Sequence, residues 1–349
     1  MYNDNGKCSE CDKQRGHFMN SNFEQKKVLI TGGLGFIGSN LAIRLAKLGA
    51  KITLVDSLIP TYGGNLFNVD PIKDKVRINI SDVRDPHSFK YLISGQDYLF
   101  NLAGQTSHVD SMENPETDLA INTLAQLQIL EACRHYNPEV RVVFASTRQV
   151  YGRPLRIPVN EDHPLAPVDL NGVHKLAAEQ YHQLFNNIYG IRSVILRLTN
   201  TYGPRMRVVD ARQTFLGIWI RRILEGKPIS IFGDGEQIRD YNYIDDVVDA
   251  LLLAANADLC CGEVLNLGSN EAFSLTETAK VFKKLVPEGE IEYVPFPQNR
   301  LVIDIGDYRA DYSRIKAKLG WEPKISFEEG LSRTLAYYRE NQNKYWESS

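Results

Sequence analysis

Glycines stand at Gly32, Gly35 and Gly38 in the run Thr31-Gly32-Gly33-Leu34-Gly35-Phe36-Ile37-Gly38. The run follows the apolar stretch Lys27-Val28-Leu29-Ile30 directly and leads straight into SNLAIRLAKLG, which has a helical pattern. Glycine is required where a strand turns tightly, where backbone must approach a pyrophosphate, and where the helix packs on the strand so that its N-terminus faces phosphates. Gly32, Gly35 and Gly38, with Phe36 and Ile37 between the last two, therefore form a candidate dinucleotide cradle. Asp56 ends the next apolar run, LVDS. A carboxylate there accepts hydrogen bonds from the adenosine ribose hydroxyls and repels a 2′-phosphate, which favours NAD over NADP. A second group, Cys8, Cys11 and His17, offers three zinc ligands, but no nearby fourth completes a tetrahedral site, so no metal is expected.

The elements that must hold these residues repeat in a strand–helix rhythm. Apolar runs at 27–32, 51–57, 76–81, 97–104, 141–147 and 193–199 alternate with helical patterns from Gly38 to Leu48, at about 116–135 and at 172–188. Short apolar strands alternating with amphipathic helices give a parallel sheet covered on both faces, a doubly wound α/β fold. After Asn200 the rhythm loosens into shorter elements separated by turns such as Tyr202-Gly203-Pro204 and Gly233-Asp234-Gly235. Helices are expected near 213–225, 244–256, 274–285 and 326–340. The expected organisation is a polar tail over 1–24, a cofactor domain over 25–200 with parts of 230–270 returning to it, and a smaller mixed α/β lobe over 201–349.

The chain of 349 residues carries 40 Lys+Arg against 43 Asp+Glu, a formal charge of −3, with no long run of one sign. Nucleic acid and anionic membranes are thereby disfavoured as partners. No apolar stretch approaches the ~18 residues of a membrane span. Residues 1–21 lack the cationic and apolar regions of a secretory signal, and the odd count of five cysteines suits reduced thiols, so a cytoplasmic protein is expected.

TGGLGFIG resembles the TGxxGxxG fingerprint of the extended short-chain dehydrogenases/reductases, the NAD-dependent nucleotide-sugar epimerases and dehydratases. The likeness continues through Ser81-Asp82-Val83-Arg84-Asp85, Asn101-Leu102-Ala103-Gly104-Gln105, Asn122, the run Arg197 to Pro204 (LRxxNxYGP), GDGEQIRDY at 233–241 and LGWEP at 319–323. It covers roughly residues 27–340 and implies a Rossmann domain, with Asp82 and Val83 at the adenine and Ala103, Gly104 and Gln105 along the cofactor. It also implies a homodimer, paired through the helices at 116–135 and 172–188. A nucleotide-linked sugar (UDP-, CDP-, GDP- or dTDP-) needs cations for its diphosphate. Arg212, Arg239 and Arg300 are the candidates, Arg239 matching the family's phosphate-contacting position, and Asn200 is expected at the sugar or phosphate.

By the same resemblance, Thr147 in FASTRQVYG occupies the position whose hydroxyl bonds the reacting oxygen, and Lys175 the position that holds the nicotinamide ribose. The family's catalytic tyrosine, four residues before that lysine, is replaced by Asn171. An amide cannot exchange a proton near neutral pH. His174, three residues from Asn171, is one substitute; His108 and Asp110 in QTSHVD are others; a water relayed by Thr147, or loss of turnover, also stand open. Arg148-Gln149 follow Thr147 where the family's dehydratases carry Asp-Glu, so dehydration is disfavoured. The closest likeness is to the tyvelose epimerase and UDP-glucose 4-epimerase branches, whose chemistry is a reversible oxidation to a keto sugar. The rival readings are a nucleotide-sugar dehydratase with an atypical acid/base, and a protein that binds NAD and a nucleotide sugar without turnover.

Overall fold

The computed structural model describes residues 22–212 and 214–346, so Cys8, Cys11 and His17 lie outside the described residues. Seven strands form one parallel sheet: β1 Lys27–Thr31, β2 Lys51–Asp56, β3 Val76–Ile80, β4 Tyr98–Asn101, β5 Arg141–Thr147, β6 Ser193–Leu198 and, from later in the chain, β10 Val264–Asn266. Their order is β10-β6-β5-β4-β1-β2-β3. The strands are buried runs because helices cover both faces. In β1, Val28 and Ile30 point into one core with Leu41 and Leu45 of the helix Phe36–Lys47, while Leu29 points to the opposite core with Leu99, Phe89 and Ile129. This is the period-two alternation of a strand between two helical layers.

The chain runs outward from β1 through β2 to β3, then returns to the other side of β1 for β4. The reversal opens a crevice beyond the carboxyl ends of β1 and β4, where ligands of doubly wound sheets bind. Thr31 ties those two ends together: its Oγ1 donates to Asn101 Oδ1 at 2.9 Å and accepts from the amides of Leu102 (3.0 Å) and Ala103 (3.1 Å).

The helix expected at about 116–135 is not uniform. It starts as Pro115–Leu119, widens into a π-helical turn at Ala120–Leu124, and resumes at Ala125–Tyr136. The helix Leu170–Tyr189 packs beside it and is capped at its start by Asp169, whose side chain accepts from Gly172 N. The remaining elements build the smaller mixed lobe. Strands β7 Asn200–Tyr202, β9 Ile238–Tyr243 and β11 Ala272–Ser274 form a three-stranded sheet. Strands β8 Ile229–Phe232 and β12 Ile291–Val294 form a parallel pair, with helices Phe215–Leu224, Leu275–Leu285 and Phe327–Asn341 around them. Among the described residues no helix is long and apolar enough to cross a membrane.

Candidate active site

A cavity of about 270 Å³ lies at the β1/β4 switch point. Gly32, Gly35, Phe36, Ile37, Gly38, Asp56, Asp82, Val83, Ala103 and Gly104 line it, as do Thr147, Asn171, Lys175 and Asn200. The glycine loop is closed by contact rather than by chance composition. Gly32 has φ +67°, and a Cβ there would stand 3.1 Å from the Ala103 backbone; one on Gly38 would collide with the Gly32 carbonyl. Only glycine fits both places. The cradle therefore leaves backbone surface open to a pyrophosphate, as the strand–turn–helix motif requires.

Asp56 sits at the end of β2, its two oxygens accepting from Leu34 N (3.0 Å) and Leu58 N (2.9 Å). Burial pushes its carboxyl up, against the amide bonds from Leu58, Leu34 and Gly35 that stabilise the charge. Each oxygen keeps a lone pair for a ribose hydroxyl. Asp82 is fixed by Arg84, which donates to it from Nη2 at 2.6 Å and from Nε at 2.9 Å and holds its carboxyl below the ordinary value.

Lys175 is 6% exposed and donates from Nζ to Ala145 O at 3.1 Å. Burial lowers it to about 8, with Asp118 and Glu179 opposing that fall. A Cβ on Gly104 would lie 3.1 Å from Lys175 Nζ and 3.0 Å from Asn122 Oδ1, so the cofactor loop passes directly over this ammonium. Asn122 is carried on the π-helical turn, and its buried Oδ1 has no partner within the described chain. A π turn at such a position re-aims a side chain into a site. The glycine cradle, the ribose-facing carboxylate, the ammonium and this orphan acceptor together fit NAD.

Asn171 is 2% exposed and works as a brace. Its Nδ2 donates to Gln105 O at 2.8 Å and to Asp118 Oδ2 at 3.2 Å, while Asn122 Nδ2 donates to the same Gln105 carbonyl at 2.9 Å. Gln105 therefore serves through its backbone; its side chain is turned in on Ser107 O and does not line the cavity, unlike the expectation for a cofactor contact. His174 likewise is not brought to the cleft. Its Nδ1 lies 2.6 Å from Oδ1 of the fully buried Asp118, and the residue does not line the cavity.

The histidine that does line the cavity is His108. Its Nδ1 is 3.0 Å from Asp169 Oδ2, the same carboxylate that caps the helix Leu170–Tyr189 and accepts from Gln149 Nε2 at 3.0 Å. Burial raises Asp169, but the His108 hydrogen bond and charge and the Gly172 amide outweigh it and leave the carboxyl below its ordinary value. A carboxylate on Nδ1 selects the tautomer protonated there and leaves Nε2 as the basic nitrogen. Asp169, Asp118 and Gln149 are the site residues that sequence reasoning missed. Only the N-cap position of Asp169 before a helical pattern carried a local signal.

A second cavity of about 340 Å³ is lined by Trp219, Phe232, Phe296, Arg239 and Arg300 among others. Arg239 is held there by the carbonyls of Ile238 and Gly306 and lies 3.5 Å from Asp304, and Arg300 stands over the Phe232 ring at 5.7 Å. Arg212 is not brought to either cavity: it pairs with Asp110 at 2.6 Å and with Asp210 at 3.5 Å on the surface. Asn200, at the start of β7, lines the first cavity and donates to Asp240 O at 2.9 Å.

The profile of the NAD-dependent epimerase/dehydratase family matches residues 28–268. A putative UDP-glucose 4-epimerase of Methanocaldococcus jannaschii is 33% identical over 319 residues, covering 90% of this chain and 99% of that protein. UDP-glucuronic acid decarboxylase 1 of Xenopus tropicalis is 31% identical over 322 residues, covering 90% of this chain and 73% of that one. Among solved structures, the UDP-glucose 4-epimerase of Thermotoga maritima with UDP-glucose superimposes with a TM-score of 0.83 at 33% identity, over 90% of this chain and 99% of that chain. The cofactor is NAD, and the chain belongs to the NAD-dependent epimerase/dehydratase family, an extended short-chain dehydrogenase/reductase.

Proposed function

We propose that this protein epimerises a hydroxyl-bearing carbon of a nucleotide-linked sugar, with His108 acting where the family's tyrosine is missing. The carrying observation is that one cavity joins the NAD cradle to Thr147, Lys175 and the His108–Asp169 pair. NAD, when bound in this cradle, would supply the reversible hydride acceptor for the sugar carbon. Lys175 holds the nicotinamide ribose by charge and hydrogen bond. Thr147, whose Oγ1 accepts from Gln149 N at 3.3 Å, presents its hydroxyl to the reacting oxygen. His108 Nε2 takes that oxygen's proton and gives it back, and the buried Asp169 stabilises the imidazolium between the two events. Asn171 and Asn122 hold the Gly104–Gln105 loop against the cofactor. The aromatic second cavity with Arg239 and Arg300 receives the base and diphosphate, and the sugar reaches back past Asn200.

The reading includes a cytoplasmic homodimer. Val173, Leu184 and Ile188 leave apolar side chains 44%, 48% and 62% exposed along one face of the helix Leu170–Tyr189. The neighbouring helix adds Leu119 and Leu124, also exposed, and is tied on by Thr123 Oγ1 donating to His174 O at 3.1 Å. A second copy related by a two-fold axis covers such a face.

The test is NAD-loaded protein incubated with UDP-, dTDP-, GDP- and CDP-sugars and followed by NMR. A new epimer is expected with one nucleotide series. His108→Gln should lower its formation by at least ~100-fold, the usual scale for a general base. His174→Gln should change turnover far less. A binding protein without turnover would give no new sugar signal in any series.

A further inference from the structure

Arg148 follows Thr147 directly and lines the same cavity. Arg148 is half-buried, yet among the described residues its side-chain hydrogen bond is a single long one, Nη1 to Thr199 Oγ1 at 3.4 Å, beside a 5.4 Å approach to the Tyr308 ring. Among the described residues no carboxylate lies within ion-pairing distance of it. The nearest opposite charge, Asp240, is reached only through the Thr199 hydroxyl and is itself occupied by that hydroxyl and by Ala310 N. Burial and the charge of Arg239 lower Arg148 to about 10, which still leaves it cationic at neutral pH. A half-buried guanidinium lining a cleft without a carboxylate partner is open to an anionic ligand, which it meets through a two-pronged contact.

The position of Arg148 says which part of a substrate supplies the anion. Arg239 and Arg300 line the second, aromatic cavity, whereas Arg148 lines the first one beside Thr147. Arg239 and Arg300 thus offer the diphosphate cations of its own, and Arg148, directly after Thr147, is the cation at the reacting end of the first cavity. Thr199, Asn200 and Thr201 border the same end of the cavity and add hydroxyl and amide groups. We propose that Arg148 makes this end of the cleft a receptor for a carboxylate on the sugar ring, so that the substrates are nucleotide-linked uronic acids rather than neutral hexoses. This inference rests on the nucleotide-sugar reading above. A neutral hydroxymethyl group would leave the guanidinium unpaired, and sites built for a polar group reject analogues that lack it by large factors.

The test uses matched pairs, UDP-glucuronate with UDP-glucose and GDP-mannuronate with GDP-mannose, titrated calorimetrically into NAD-loaded protein. The charged member of one pair should bind at least ~100-fold more tightly. Arg148→Met should bring that ratio close to one, and Arg148→Lys should keep part of it. Equal affinity for both members, or a preference for the neutral one, overturns the proposal in the unmodified protein, whatever the variants do. Arg148→Met weakening both members equally overturns it too, because that is the result for a structural strut. Binding of neither pair overturns this inference, whereas the nucleotide-sugar reading itself is decided by the four-series NMR panel above. NMR of the products separates the two claims: an epimeric uronate supports both, whereas a nucleotide-linked pentose keeps the carboxylate receptor and overturns epimerisation.

Discussion

Asn171 is more than a tyrosine lost. Its amide nitrogen serves two acceptors, Gln105 O and Asp118 Oδ2, and its own backbone amide donates to Ser111 Oγ at 3.2 Å. A phenol cannot replace an NH2 between two acceptors. Asn171→Tyr should therefore lower epimerisation at least ~10-fold and destabilise the fold by about 1–3 kcal/mol, as buried acceptors are left unpaired. Turnover and thermal melting check this, and a gain in turnover would show that the site still expects a tyrosine. Lys175 gives the opposite split between stability and function. Its folded value, about 8, lies below the 10.5 of an ordinary lysine, so the folded chain binds this proton more weakly than the unfolded one. Its contribution is least favourable below pH 8, and the stability of the NAD-free protein rises as pH goes from about 8 to 10.5. Lys175→Met should thus stabilise the NAD-free protein at pH 7 by about 1–3 kcal/mol while cutting turnover at least ~100-fold. Asp56→Ala should weaken NAD by about 1–3 kcal/mol, read by titration against NADP as control.

Strand β5, strand β6 and the helix Leu170–Tyr189 are locked beneath the reacting residues by one buried polar network. Arg197 donates to Glu179 twice, at 2.6 and 2.9 Å; Ser146 Oγ donates to Glu179 at 2.5 Å; Arg197 also donates to Tyr151 OH, which donates to Asn266 of β10 at 2.7 Å. Glu179→Ala leaves a buried guanidinium without its carboxylate and should cost about 3–5 kcal/mol in denaturant unfolding. The elements themselves were legible because periodicity is local: the runs at 27–32, 51–57 and 141–147 are β1, β2 and β5, and the helix expected over 172–188 spans Leu170–Tyr189. The π-helical turn under Asn122 was not legible, since nothing in AINTL distinguishes it from an α-helical turn. The spacing of Asn171 and His174 on one helix lets both reach a single partner, Asp118. What it could not show is that Asp118, more than fifty residues earlier, captures His174 there, leaving the cleft to His108. Arg212 lines neither cavity for a similar reason, because its partner Asp110 is 102 residues away.

At the scale of the whole molecule, the same two helices that carry Asn122, Asn171 and Lys175 on their inner faces expose Leu119, Leu124, Val173, Leu184 and Ile188 on their outer faces. Residues 173, 184 and 188 are separated by eleven and four positions, which at 3.6 residues per turn keeps them on one stripe. An apolar stripe of this kind on two adjacent helices pairs with its own copy across a two-fold axis, because each subunit offers the same surface to the other. A homodimer is the expected state, measured by light scattering at micromolar concentration. Leu184→Glu with Ile188→Glu places four like charges across such an interface and should yield a monomer. Since Lys175 and Asn171 lie about 2.5 and 3.6 turns before Leu184 on the same helix, loss of the partner should also loosen the NAD cradle, seen as weaker NAD binding in the monomeric variant. A unmodified protein that is monomeric at that concentration, or a double variant that remains dimeric, would locate the assembly surface elsewhere.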